Sequence, residues 1–87
     1  MRVYDFTAPQ LAFYEEFCNF SPQQRVLFKL RGKGVTLDQC AEIMHCEVTT
    51  VKKISRQVNK KIIQMTDIDR MNEWIDRVYW GKVYKEV

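Results

Sequence analysis

Residues 35–62 read VTLDQCAEIMHCEVTTVKKISRQVNKKI, and two amphipathic helical periods follow one another there across a turn of about four residues. In the first, Leu37, Cys40, Ala41 and Met44 recur at the spacing of one helix face, with Thr36 standing where an N-cap belongs. Ala41 is small at the centre of that face, as a close crossing of two helices requires. In the second, Val51, Ile54, Val58 and Ile62 share one arc. Thr49, Lys52, Lys53, Arg56 and Lys60 spread over the opposite one. A short helix, a tight turn and a longer basic helix together predict a helix-turn-helix.

The flanking sequence supplies the rest of an all-α fold of about five helices. Thr7 and Pro9 start an N-terminal helix expected to run to about Asn19, with Leu11, Phe13, Tyr14, Phe17 and Cys18 on its apolar side and Glu15 and Glu16 facing out. Residues 1–6 are expected to be an extended arm, with Tyr4 and Phe6 available to pack. Ser21 and Pro22 open the next helix. Its Val26, Leu27 and Leu30 form the third wall of the core, and Gly32-Lys33-Gly34 ends it. In the turn, Cys46 is expected to be buried and Glu47 to cap the basic helix, which runs to about Gln64. Thr66-Asp67 interrupts it and caps a last helix from Ile68 to about Trp80, stopped by Gly81. On that helix Ile68, Met71, Trp74, Ile75, Val78 and Tyr79 form one broad apolar arc. Trp80 falls among Asp69, Glu73, Asp76 and Arg77 on the polar side.

At 87 residues the chain is expected to be a single domain, 1–87, with the helix-turn-helix core at about 20–63. No run of about 18 apolar residues is present, and residues 1–10 lack the apolar segment of a secretory signal, so no membrane partner is expected. Three cysteines without CxxC spacing read as reduced thiols of a cytoplasmic protein. His45 beside Cys46 lacks a second ligand pair, so no metal is expected. Gly32-Lys33-Gly34 follows no strand and precedes no GK[ST], which argues against a phosphate loop; no cofactor is expected. With one histidine and no nucleophile–base constellation, an enzyme is not expected and no residue is assigned as catalytic. The net charge of +3 is concentrated: residues 23–63 hold nine cations against three acids, between acidic flanks. That is the electrostatic footprint of a nucleic-acid surface.

Ser21-Pro22, Arg25, Leu27-Phe28, Leu30, Gly34, Thr36, Ala41, Thr50-Val51-Lys52 and Val58-Asn59-Lys60-Lys61-Ile62 resemble the DNA-binding domain of the LuxR/GerE family. They are also similar to the related fourth conserved region of bacterial sigma factors. The match covers about residues 20–63, and Ala41 with Thr50-Val51-Lys52 carries most of it. Ile54 stands where LuxR-type domains commonly have a histidine, which is nearer the sigma-like version. The resemblance implies a helical DNA-binding fold and a role in transcription; a stand-alone regulator this small would suit a phage or mobile element as well as a bacterial chromosome.

The expected function is therefore a sequence-specific regulator that binds double-stranded DNA through a recognition helix at about 48–63. In such a motif the leading part of the helix meets base edges and later residues meet the backbone. Val48, Thr49, Lys52 and Lys53 are the candidate base readers; Thr36, Thr50, Arg56 and Lys60 are the candidate phosphate contacts. The alternative is a protein-interaction module of the same fold, acting on a polymerase subunit, a sigma factor or another regulator. Trp80 and Tyr84 are the candidate dimer or partner surface, for a homodimer or a contact with RNA polymerase. LuxR-type domains commonly pair through their final helix, and the resemblance implies the same here.

Overall fold

The computed structural model describes residues 3–85, the side chains of Tyr4 and Lys85 excepted. The expectations for Tyr4 and for the end of the tail lie outside the described residues. The chain is all-helical: α1 (Ala8–Phe17), α2 (Pro22–Gly32), α3 (Leu37–Met44), α4 (Val48–Met65) and α5 (Ile68–Trp74). From α5 the helix continues through a π-helical segment (Ile75–Tyr79) into a last α-helical segment, α6 (Trp80–Lys85).

Most of these starts are written in side chains. Thr7, Ser21 and Thr36 each accept the N–H of a glutamine three residues on, and that glutamine's side-chain oxygen accepts the cap residue's own N–H. These reciprocal pairs satisfy donors that a helix start would otherwise leave open. Asp67 caps α5 through the Arg70 N–H, 3.1 Å away. After α3, His45 takes a left-handed backbone at φ 56°, and Cys46 N–H donates to Ala41 O at 3.0 Å, which closes the turn. Gly34, at φ 82°, makes the equivalent reversal after α2, where a side chain would be strained.

The core forms where α2, α3 and α4 meet, with α1 laid across them. Phe13, Leu27, Phe28, Cys40, Val51 and Ile62 are sealed from solvent, and Ala41, Ile54 and Val58 are buried beside them. Burying a large aliphatic or aromatic side chain stabilises by about 1.5–3 kcal/mol, so this cluster is what holds four helices together. α1 is anchored at its far end as well. Tyr14 Oη lies 3.0 Å from Thr66 Oγ1, which itself donates to Ile62 O at 2.7 Å. Gly32 lies so close to α1 that a β-carbon there would sit 3.3 Å from Leu11 Cδ1.

Several expectations need correcting. Residues Val3–Asp5 form a 3-10 turn, with Val3 buried, instead of an extended arm. Val26 is 45% exposed and not part of the third wall, because Leu27, Phe28 and Leu30 already fill that side. Ile68 is 64% exposed, outside the packed arc of Met71, Trp74 and Ile75. Cys46 is only half-buried. Gly81 does not stop the last helix. No proline follows it and, among the described residues, no left-handed one, so the backbone hydrogen bonds run on to Lys85. Trp80 N–H reaches back five residues to Ile75 O, so a uniform turn of about 100° per residue fails beyond Trp74.

Candidate nucleic-acid interface

α4 is 18 residues long, about 27 Å at the usual rise. Val51, Ile54, Val58 and Ile62 are its buried line, which fixes how the helix is rotated. The opposite side must then face solvent, and Thr49, Lys52, Lys53, Arg56 and Lys60 all do. Among the described residues none of these four cations forms an ion pair or a side-chain hydrogen bond. Lys52 to Lys60 spans about 12 Å along the helix.

Four of the five other cations of the central region are committed elsewhere, while Lys33, just after α2, is exposed. Arg25 and Lys29 pair with Glu15 at 3.6 and 3.2 Å. Arg31 donates to Val35 O at 2.7 Å, which braces the α2–α3 connection. Lys61 turns inward, its Nζ 3.1 Å from Asn19 O and 2.6 Å from Gln24 Oε1. The concentration of charge visible in the sequence thus resolves into a structural set, an outward set on α4, and the exposed Lys33 after α2.

The remaining candidates sit around this arc unevenly. Val48 is half-buried at the start of α4, so only part of its side chain is available. Thr36 opens α3, and its hydroxyl oxygen already accepts the Gln39 N–H at 3.2 Å, leaving its O–H to donate. Thr36 and Lys52 line one groove of about 530 Å³ with Arg31 and Asp38, so the structure brings those two together. Thr50, a phosphate candidate, is exposed and lies about 160° around the helix from Val48 and about 60° from Lys53. Trp80, 38% exposed, and Tyr84, 71% exposed, stack at 5.9 Å near the far end of the chain and belong to a separate surface.

One residue of the arc escaped the sequence reading, and one beside it was expected in another role. Ile63 is 65% exposed, and helical spacing places it between the rows of Lys52 and Arg56. That spacing could have revealed it, but an isoleucine next to Ile62 reads as core. The second is Glu47. It occupies the N-cap of α4 yet makes no cap hydrogen bond, a correction to the expected cap. Its Oε2 lies 3.5 Å from Thr49 Oγ1 instead. Glu47, Glu42, Asp38 and His45 rim a second groove, of about 630 Å³, on the α3 side. An acidic margin therefore borders the basic arc along one edge.

The thiols of Cys18 and Cys40 are buried away from this arc, whereas Cys46 lines the groove beside it. Burial pushes the Cys18 thiol up from its ordinary 9.0 to about 11, with Lys61 pulling weakly the other way. Burial raises Cys40 as well, against the nearby Arg31 charge. Both donate to backbone carbonyls, Cys18 to Lys61 O and Cys40 to Val35 O. Among the described residues no three His, Cys, Asp or Glu side chains converge to hold a metal, and no helix is long and apolar enough to cross a membrane. No family model matches the chain, and neither a curated protein nor a solved structure matches it.

Proposed function

We propose that the protein is a sequence-specific double-stranded DNA-binding regulator of transcription, with α4 as its recognition helix. The observation that carries this reading is the outward set on α4: Lys52, Lys53, Arg56 and Lys60 share one exposed side and have no acidic partner among the described residues. Four unpaired cations on a single helix face repel one another, which costs stability unless a polyanion supplies the compensating charge. A phosphate backbone does so, and its released counterions add to affinity. Val48, Thr49, Lys52 and Lys53 take the base-reading positions and Arg56, Lys60, Thr36 and Thr50 the phosphates. The resemblance to LuxR-type and sigma-like domains agrees with this assignment.

A mobility-shift titration on mixed duplex DNA across a salt series tests it. With up to four cations on phosphates, the slope of log affinity against log salt should lie at about −2 to −4. A flat line, or no binding at low salt, would reject the reading. The exposed Trp80–Tyr84 stack favours a second reading, in which the same fold docks a protein partner such as a polymerase subunit. That reading predicts the flat line.

A further inference from the structure

Four helix starts in this chain carry a side-chain cap, supplied by Thr7, Ser21, Thr36 and Asp67. α4, the longest helix, starts on Glu47, whose side chain caps nothing. Serine, threonine, asparagine or aspartate would make the missing bond, and the other four starts use such residues. The helix dipole welcomes a negative charge there, but an aspartate would serve the dipole and the cap together. The Glu47 carboxylate accepts only the Thr49 hydroxyl, at 3.5 Å, which leaves the backbone N–H groups of the first turn uncapped, and a local rule broken at one position points to a position kept for another purpose.

The geometry shows where the carboxylate has gone. Glu47 is exposed, and its Oε2 lies 3.5 Å from Thr49 Oγ1, alongside the first turn of α4. It therefore stands next to Val48 and Thr49, and about a turn and a half before Lys52 and Lys53. A carboxylate is a poor neighbour for a phosphate backbone. It accepts hydrogen bonds and donates none, and in a major groove the exocyclic amine of cytosine is a donor it suits. The lysines offer the opposite chemistry, donating to the guanine acceptors.

We propose that Glu47 is a specificity-determining residue of α4, which accepts a hydrogen bond from a cytosine amine and repels phosphate from the first turn of the helix. The proposal rests on the reading of α4 as a DNA-recognition helix. It assigns Glu47 two linked effects: a preference for a C·G pair at one position of the site, and a penalty on DNA that lacks it. The repulsive part matters as much as the attractive one, because discrimination is a difference between two affinities.

The test begins with selection of bound duplexes from random DNA by the wild-type protein, followed by titration of the selected duplex and its single-base variants. Glu47→Ser supplies the missing cap, so it should melt a few degrees higher than wild type. It should also bind mixed DNA about two-fold more tightly, and lose roughly 5- to 100-fold discrimination at one C·G position while the others keep theirs. Glu47→Gln, of nearly the same shape, should move the preference at that position from cytosine toward adenine. An unchanged preference at every position in both variants overturns the role of Glu47 and leaves DNA binding by α4 standing. A wild type that binds no duplex removes both.

Discussion

Lys61 Nζ lies 2.6 Å from Gln24 Oε1, across the contact between α4 and α2. Gln24 is a buried polar residue, and every polar atom of its side chain is engaged. Its Oε1 also accepts the Ser21 N–H, and its Nε2 donates to Gln57 Oε1 at 3.1 Å. Lys61 in turn reaches Asn19 O, which holds the left-handed residue between α1 and α2. One lysine of the Lys60-Lys61 pair thus serves the fold, while the other faces solvent.

The pair should therefore separate stability from binding. Lys61→Ala removes a charged donor from a half-buried network and should cost about 1–2 kcal/mol, read as a lower denaturant midpoint. It should leave the salt slope of DNA binding unchanged. Lys60→Ala should alter stability by less than about 0.5 kcal/mol and reduce that slope by about one. Lys52→Ala should instead shrink the discrimination between a target and its mutated version. If Lys60→Ala and Lys61→Ala behave alike in both measurements, the division between the inward and outward sets is wrong.

The α3–α4 turn gives two changes of opposite sign. Ala41 is 5% exposed at the crossing of the two helices, so Ala41→Leu should overpack the core and cost about 1–3 kcal/mol. His45, at φ 56° and ψ 46°, holds a conformation that glycine adopts freely. His45→Gly should raise stability by about 0.5–1 kcal/mol. Thermal melts of both variants against wild type check the pair.

The thiols should react in a fixed order. Cys46 is half-buried, whereas Cys18 and Cys40 are buried with raised pKa values. An alkylating reagent at neutral pH should label Cys46 first, seen as one added mass before any second. Because the folded protein holds the Cys18 proton more tightly than the unfolded chain does, this group's contribution to stability is complete below about pH 9. It should be lost as pH rises through about 11.

Much of this architecture was legible because its signals are local. The apolar periods of α3 and α4, the threonine and serine caps and the Thr66-Asp67 interruption depend only on neighbouring residues, and the helices formed where they point. The burial of Val51, Ile54, Val58 and Ile62 followed from spacing alone. What was not legible depended on how the helices pack. Val26 lost its expected place in the core to its neighbours Leu27, Phe28 and Leu30, and the inward turn of Lys61, for which there was no expectation, depends on Gln24 of α2. The π-helical segment at Ile75–Tyr79 breaks the regular period, so a wheel drawn at a constant angle misplaces everything after it. Glu47 misled for a different reason: its position suits a cap, but its side chain does not take that role.

The chain's end offers a surface distinct from α4. Phe17, Trp74, Tyr79, Trp80 and Tyr84 form a run of ring contacts from the core outward, Phe17–Trp74 at 5.8 Å and Tyr79–Trp80 at 5.0 Å. Its outer end is exposed, as the anchor of an interface with a second copy or with RNA polymerase would be. On the homodimer proposal, light scattering should give a mass near twice that of one chain at high concentration, and the Trp80→Ala, Tyr84→Ala double variant should give the single-chain mass. A wild type that stays monomeric both free and on DNA removes the dimer.

The central claim is that the outward side of α4 meets DNA, and the most direct measurement is an amide chemical-shift map during titration with a selected duplex. The account predicts that the largest changes fall on Thr49, Lys52, Lys53, Arg56 and Lys60, with Glu47 and Thr36 at the margin and little change at Met71 or Tyr84. Changes centred on Trp80 and Tyr84, with α4 unmoved, would contradict it.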